Sequence, residues 1–268
     1  MKYLLARRFT QISILVLYVA ANIWGLKILE GNLSFSYLFE TIPLSDPYAT
    51  VQMFAAGSIM TVDLVIGTVI VAVFYAIVGG RFFCSWVCPI NMVTDLANYL
   101  RRKLDIARYQ KRLYMSRTLR FWVLGLSLVL SFVMGLTAFE LISPIAILHR
   151  GIVFGIGFGF TAILVIFLLD LLVHENAWCG HICPLGAFYT LLGKFSLVRV
   201  KYNLDACTSC MQCKVVCPEK EVLDIITHVS ATITQGECTN CARCIEVCED
   251  DALNFGIRRF IKDGKNEA

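Results

Sequence analysis

Twelve cysteines carry the chemistry this sequence offers, and their spacing divides them into two sets. Eight lie in the last quarter of the chain. The run 207–218, CTSCMQCKVVCP, reads C-x2-C-x2-C-x3-C-P, and 238–249, CTNCARCIEVCE, repeats the spacing with Glu249 in place of the proline. Three close thiolates and a fourth from the other motif match the needs of a [4Fe–4S] cube, whose four irons each take one sulfur ligand. The pattern predicts one cluster on Cys207, Cys210, Cys213 and Cys248. A second is predicted on Cys238, Cys241, Cys244 and Cys217. Zinc sites usually lack the third close cysteine, and disulfides are disfavoured on the reducing cytoplasmic side where this segment is expected. Glu249 changes the surroundings of one cluster and removes no ligand.

The other four cysteines form two copies of C-x3-C-P: Cys84 and Cys88 in CSWVCP (84–89), Cys179 and Cys183 in CGHICP (179–184). Each copy resembles the end of a ferredoxin motif, as in CKVVCP (213–218). Proline suits the first position of a helix. Cys88 and Cys183 are therefore expected at helix N-termini, whose partial positive charge favours a thiolate or an anionic cluster. Three roles are open to these sulfurs. They hold a further metal centre between the copies, they cycle as redox-active dithiols, or they are simply core cysteines. The duplicated spacing favours a redox relay over core packing.

The elements that must position these cysteines belong to a membrane protein. The chain of 268 residues is 57% hydrophobic and only 16% charged, well below the quarter expected of a soluble domain. Four segments are long enough to cross a hydrocarbon core, near Gln11–Leu29, Val62–Val78, Phe121–Phe139 and Ile152–Val173. Lysine and arginine set the orientation. Lys2, Arg7 and Arg8 precede the first span, and Arg81, Arg101, Arg102, Lys103, Arg108, Lys111, Arg112, Arg117 and Arg120 fill the loop between the second and third. The first connection sets Lys27 against Glu30, Glu40 and Asp46, and the third holds only Arg150. Both termini and the central loop are thus expected in the cytoplasm of a bacterial inner membrane, with the first span an uncleaved anchor.

The halves repeat each other. FCSWVCPINMVTDLANYL (83–100) aligns with WCGHICPLGAFYTLLGKF (178–195), and FETIP (39–43) echoes FELISP (139–144). A duplicated two-span unit would bring both cysteine pairs to one membrane face. Behind the first pair, Val93, Leu96, Leu100 and Leu104 recur at helical spacing opposite Arg101, Arg102, Lys103 and Arg108. This pattern suits an interfacial helix on anionic lipid and gives no reason to invoke nucleic acid. Among four histidines, His149, His174, His181 and His228, none is mid-span, which argues against a di-haem cytochrome. The expected fold is an all-α polytopic membrane domain of four transmembrane helices over 1–199, followed by an α+β ferredoxin-like 2[4Fe–4S] domain over 200–268.

The outer-loop text GNLSFSYLFETIPLSDPYATVQ (31–52), with FCSWVCPINMVTDLANYLRR (83–102), WCGHICPLGA (178–187) and the two ferredoxin motifs, resembles the NapH family along the whole chain. That family comprises membrane quinol dehydrogenase subunits of periplasmic nitrate reductase systems. The resemblance implies two cytoplasmic [4Fe–4S] clusters, quinol as substrate and a NapG-type periplasmic iron–sulfur partner. A cytochrome and the nitrate reductase lie downstream. It leaves the role of the C-x3-C-P elements open. Glu40 and Glu140, repeated in the two connections, and Asp63 at the edge of the second span are candidates for taking protons from quinol. Two other functions fit the cysteines: a membrane ferredoxin serving as redox sensor or assembly factor, and a transmembrane thiol–disulfide carrier.

Overall fold

The computed structural model describes residues 2–25, 28–106, 115–154 and 159–258. Lys27, Arg108, Lys111, Arg112, residues 155–158 of the fourth predicted span and residues 259–268 of the tail lie outside the described residues. Helix α1 (Lys2–Trp24) is long and apolar enough to cross a membrane and fits a membrane anchor. Val62–Val78, Leu119–Met134 and Phe160–Val173 are apolar but shorter. At about 1.5 Å per residue, a 17-residue helix spans roughly 25 Å, slightly less than a typical hydrocarbon core.

The connection after α1 departs from the all-α expectation. It folds as a three-stranded antiparallel sheet, β1 (Leu29–Gly31), β2 (Phe35–Leu38) and β3 (Ile42–Ser45), and then as α2 (Pro47–Ala55). Turn chemistry explains the strands. Asn32 Oδ1 accepts from the Ser34 and Phe35 amides at 2.8 and 2.9 Å, closing the first turn. Phe39 and Glu40 both take left-handed backbone in the second. The sheet lies along α3 (Val62–Val78), where a Cβ on Gly67 would stand 3.0 Å from the Pro43 carbonyl. A larger residue would push the strand outward by a few tenths of an ångström.

Cys84 lies in the short helix Phe82–Trp86, and Cys88 precedes Pro89 and α4 (Ile90–Lys103). Leu96 and Leu104 are exposed, whereas Ile90, Thr94, Ala97, Asn98 and Arg101 form the buried face. Arg101 thus differs from the outward cation expected of it. It turns inward and donates to the Asp170 and Leu171 carbonyls at 3.3 and 2.9 Å. Those carbonyls belong to the π-helical turn Leu169–Val173, which frees backbone acceptors that an α-helix would use itself. Helix α5 (Leu119–Met134) packs against α2 and against α6 (Pro184–Gly193), the helix that follows the second cysteine pair.

The tail is built on an antiparallel pair, β4 (Val198–Tyr202) with β5 (Leu253–Ile257), over a core of Val200, Tyr202, Val222, Leu223, Ile226, Ile233 and Leu253. Its two cysteine loops sit on the same core.

Candidate metal centres

The two ferredoxin loops bend in the same way. Ser209 and Met211 in one, and Asn240 and Ala242 in the other, stand at equal offsets from the first cysteine, all with φ between 50 and 60°. Non-glycine residues in this region cost on the order of 1 kcal/mol or more each, so the repetition marks a shared requirement. These turns aim backbone N–H groups at sulfur: Ser209 N donates to Cys207 Sγ at 3.4 Å. Cys213 lies within electrostatic reach of Cys207, Cys210 and Cys248, and Cys244 of Cys241, Cys238, Cys217 and Cys213. Cys217, Cys238, Cys241 and Cys244 also line one small cavity.

None of the twelve cysteines is in a disulfide. Burial pushes the Cys238 thiol up to about 11 and raises Cys217 and Cys244 as well. Iron binding replaces those protons. Among the described residues, no three His, Cys, Asp or Glu side chains converge as a site for a single metal ion. A cube does not ask for that, because each iron takes its own thiolate.

A second observation fits an anionic cluster here. Arg7 is fully buried, and none of its three guanidinium nitrogens has a hydrogen-bond partner. Its nearest carboxylate is Asp95, at 3.9 Å, and Cys241 lies within electrostatic reach. A buried unsatisfied guanidinium is costly. A cluster held by Cys241 and its neighbours would supply the missing negative charge.

The C-x3-C-P elements meet each other. Cys88 is influenced by Cys84 and Cys183, and Cys179 by all three of the others. The four pack within one core cluster. Cys183 caps α6 with Pro184 in its first turn, and Cys88 precedes Pro89, the N-cap of α4, as the motif predicts. Burial raises the metal-free thiols of Cys84, Cys88 and Cys179 and pushes Cys183 up to about 11, protons that metal binding would displace.

The ferredoxin loop 238–241 is bonded directly to the first element. Ser85 Oγ donates to the Thr239 carbonyl at 2.7 Å, and Trp86 Nε1 donates to the Asn240 carbonyl at 3.1 Å. Arg81 reaches the Cys179 carbonyl at 3.1 Å, the Glu237 carbonyl at 3.1 Å and Glu219 at 2.5 Å. Arg120, from the first turn of α5, donates to Glu237 at 2.7 Å and to Glu219 and the Gly180 carbonyl at 3.3 Å. Arg117 also binds Glu219. Burial pushes Glu219 up, but Arg81, Arg117 and Arg120 more than reverse this and hold it below the usual carboxylate range. A cavity lined by Cys84, Cys179 and Cys241, among others, connects the edge thiols with the ferredoxin.

On the other side of the cysteine group lies a cavity of about 350 Å³ between α1, the sheet and α3. Its walls are mostly apolar, with Phe83 and Val87 from the first cysteine element and Asp46, Ser45, Tyr75 and Tyr189 as polar members. Tyr189 Oη donates to Asp46 Oδ1 at 2.9 Å. Asp46 keeps partial access through the cavity, while burial raises its pKa to about 7 against the opposing Tyr189 bond.

The three carboxylates singled out in the sequence are not together. Glu40 is exposed in its hairpin turn, and Asp63 is exposed in the first turn of α3, accepting from Tyr37 Oη at 3.3 Å. Glu140 is half-buried, accepts from Ser34 Oγ and acts on Asp46. Asp46 itself escaped sequence reasoning as one more loop charge. Its signal was the Asp-Pro pair, an N-cap followed by an N1 proline, which parallels Ser143–Pro144 in the second copy.

A family model described as a 4Fe-4S binding domain matches twice, over residues 61–107 and 153–204, and a 4Fe-4S dicluster domain matches 199–249. The ferredoxin-type protein NapH of Haemophilus influenzae is 43% identical over 96% of this chain and 90% of its own length. NapH of Escherichia coli is 40% identical over 96% of the chain and 90% of its own length. The methylamine utilization ferredoxin-type protein MauN of Methylorubrum extorquens is 43% identical over 81% of the chain and 75% of its own length. No solved structure matches the chain.

Proposed function

Since the chain belongs to the ferredoxin-type NapH family, whose chemistry is iron–sulfur electron transfer, we propose that it is the quinol-oxidising subunit of a bacterial inner-membrane redox chain. It crosses the membrane four times, with both termini in the cytoplasm. Iron–sulfur clusters take up and release single electrons. Cys207, Cys210, Cys213 and Cys248 hold one, and Cys238, Cys241, Cys244 and Cys217 the other. Cys84, Cys88, Cys179 and Cys183 form the relay between quinol and these clusters, as a further iron–sulfur centre.

One observation carries this reading, the order of buried polar contacts along α1. Arg7 lies beside Cys241, Gln11 donates to the Ser85 and Cys88 carbonyls at 3.1 Å, and Ile14 and Tyr18 line the apolar cavity. From Arg7 to Ile14 the helix rises only about 10 Å. Ferredoxin, edge cysteines and cavity are thus stacked in series over a short distance.

MauN relatives cover between 81% and 94% of the chain, and the NapH relatives 96%. Their family places the electrons' destination in a periplasmic nitrate reductase system, reached through a NapG-type iron–sulfur partner and a cytochrome. Anaerobic purification followed by iron counting and addition of a short-chain quinol tests the whole route. The reading expects about eight irons for two cubes, more with a third centre, and quinol-dependent bleaching. Cys84→Ser with Cys179→Ser should abolish quinol-driven reduction while dithionite still reduces the ferredoxin clusters. Normal electron flow in that variant would make the edge cysteines structural. Quinol that never reduces a cluster, even with the partner present, would overturn the quinol dehydrogenase role and leave a sensor or a thiol carrier.

A further inference from the structure

The geometry points to the cavity between α1, the sheet and α3 as the quinol head-group site, with Asp46 as the group that takes the quinol's protons and Tyr189 as the residue that orients it. This assignment deepens the quinol-oxidising reading and rests on it.

Four features of the cavity argue for that occupant. Its volume of about 350 Å³ is that of a small-molecule pocket with few polar groups in an apolar wall. Ile70 and Phe74, which line it, are also 39% and 52% exposed on the apolar outer face of α3, so an isoprenoid tail can leave sideways into lipid. Ser45 is 1% exposed, and its Oγ has no hydrogen-bond partner, which leaves a buried polar atom in the wall for a ligand oxygen to satisfy. Finally, Phe83 and Val87 flank Cys84 and close the cavity toward the cysteine group, so an electron leaving the head group meets the relay next.

Asp46 also caps α2, but its bonds to the Tyr48 and Ala49 amides are long, both 3.4 Å. The stronger contact is the Tyr189 hydroxyl at 2.9 Å, which fixes one carboxylate oxygen and leaves lone-pair capacity for a quinol hydroxyl. A second carboxylate is close enough to matter: Glu140 accepts from Ser34 Oγ, and its charge raises the Asp46 pKa. Oxidation then proceeds in two like steps. In each, one O–H bond of the quinol breaks, its proton goes to the Asp46 carboxylate, and one electron leaves toward the cysteine group, where a bound iron–sulfur centre would accept it. Between the steps Asp46, which is partly exposed, gives its proton to water. Quinone remains, with two protons released and two electrons passed on.

The test uses the full-length protein in lipid nanodiscs, with a short-chain naphthoquinol as reductant and an azido-naphthoquinone as photolabel. Asp46→Asn should keep its iron and its dithionite-reduced spectrum, yet be reduced by quinol at least ~100-fold more slowly, the usual scale for loss of a general base. Val71→Trp, which fills the cavity, should abolish labelling of segments 28–46 and 184–193. Should Asp46→Asn lose its clusters, Tyr189→Phe and Ser45→Ala carry the kinetic test, with slower reduction expected in both. Wild-type rates in Asp46→Asn and Val71→Trp would overturn the site while leaving quinol oxidation intact. If quinol fails to reduce even the wild-type protein, the functional reading falls and the photolabel still decides. Label in the cavity, lost in Val71→Trp, upholds a quinone site, whereas label elsewhere or none refutes it.

Discussion

At the scale of single residues, the least expected is Arg7. A basic N-terminus ordinarily anchors a membrane helix through headgroups and water, and Arg7 and Arg8 read as a pair in the sequence. The fold separates them. Arg8 pairs with Asp95 and Gln11, whereas Arg7 is wholly enclosed with no hydrogen bond. A fixed cation beside Cys241 stabilises the more negative, reduced form of a cluster held by Cys217, Cys238, Cys241 and Cys244. Arg7→Gln should therefore lower that cluster's reduction potential by roughly 60 mV, a tenfold change for a one-electron couple. Redox titration followed by electron paramagnetic resonance would read the shift. Arg8→Gln, at a side chain a quarter exposed and paired with Asp95, should move it much less. Equal shifts in the two variants would mean that Arg7 acts only as part of a diffuse basic face.

At the scale of elements, α6 and the ferredoxin meet on a seam of glycines. A Cβ on Gly80 would overlap the Tyr189 carbonyl and the Gly193 amide, and one on Gly236 would overlap the Thr190 carbonyl. Gly80→Val should overpack this seam at a cost of about 1–3 kcal/mol or more, read as a lower melting temperature and loss of bound iron. Gly125→Ala, in open space on α5, should cost nothing. Equal stability of the two would remove the seam from the fold's requirements. This junction was illegible in the sequence, because a glycine announces freedom without naming the backbone that will approach it. The cysteine loops were legible because ligand spacing is local: the offsets that group Cys207 with Cys210 and Cys213 are set by a few dihedrals. The sheet was not. Strands of three or four residues interrupted by Asn32, Pro43 and a left-handed Phe39–Glu40 pair show no sustained period of two. Asp46 was hidden for a related reason, since its partner Tyr189 lies 143 residues away.

At the scale of the whole molecule, contacts between distant parts of the chain limit how it can thread a membrane. The Tyr3 and Leu4 amides donate to Glu246 at 2.6 and 3.2 Å, so the start of α1 and the ferredoxin share one side. A chain whose two ends meet on one face crosses an even number of times. The proposed topology therefore gives α1, the one helix among the described residues long and apolar enough to cross a membrane, at least one returning partner. Gln11 bonds to Ser85 and Cys88, which brings the first cysteine element back to the starting side, and only α3 is apolar enough to return it. Arg81 and Arg120 hold the second element against the same ferredoxin. The proposed topology has the helices between the two elements, Leu119–Met134 and Phe160–Val173, leave and return as a pair. An even number of crossings is compatible with the four proposed from the sequence, with the shared side proposed as cytoplasmic from the lysine and arginine distribution. A topology reporter fused after Ala268 should read as cytoplasmic, and one inserted after Glu40, in the exposed hairpin turn, as periplasmic. Both reporters on one side would mean that the sheet connection never crosses, and that quinol reaches the cavity from the inner leaflet alone.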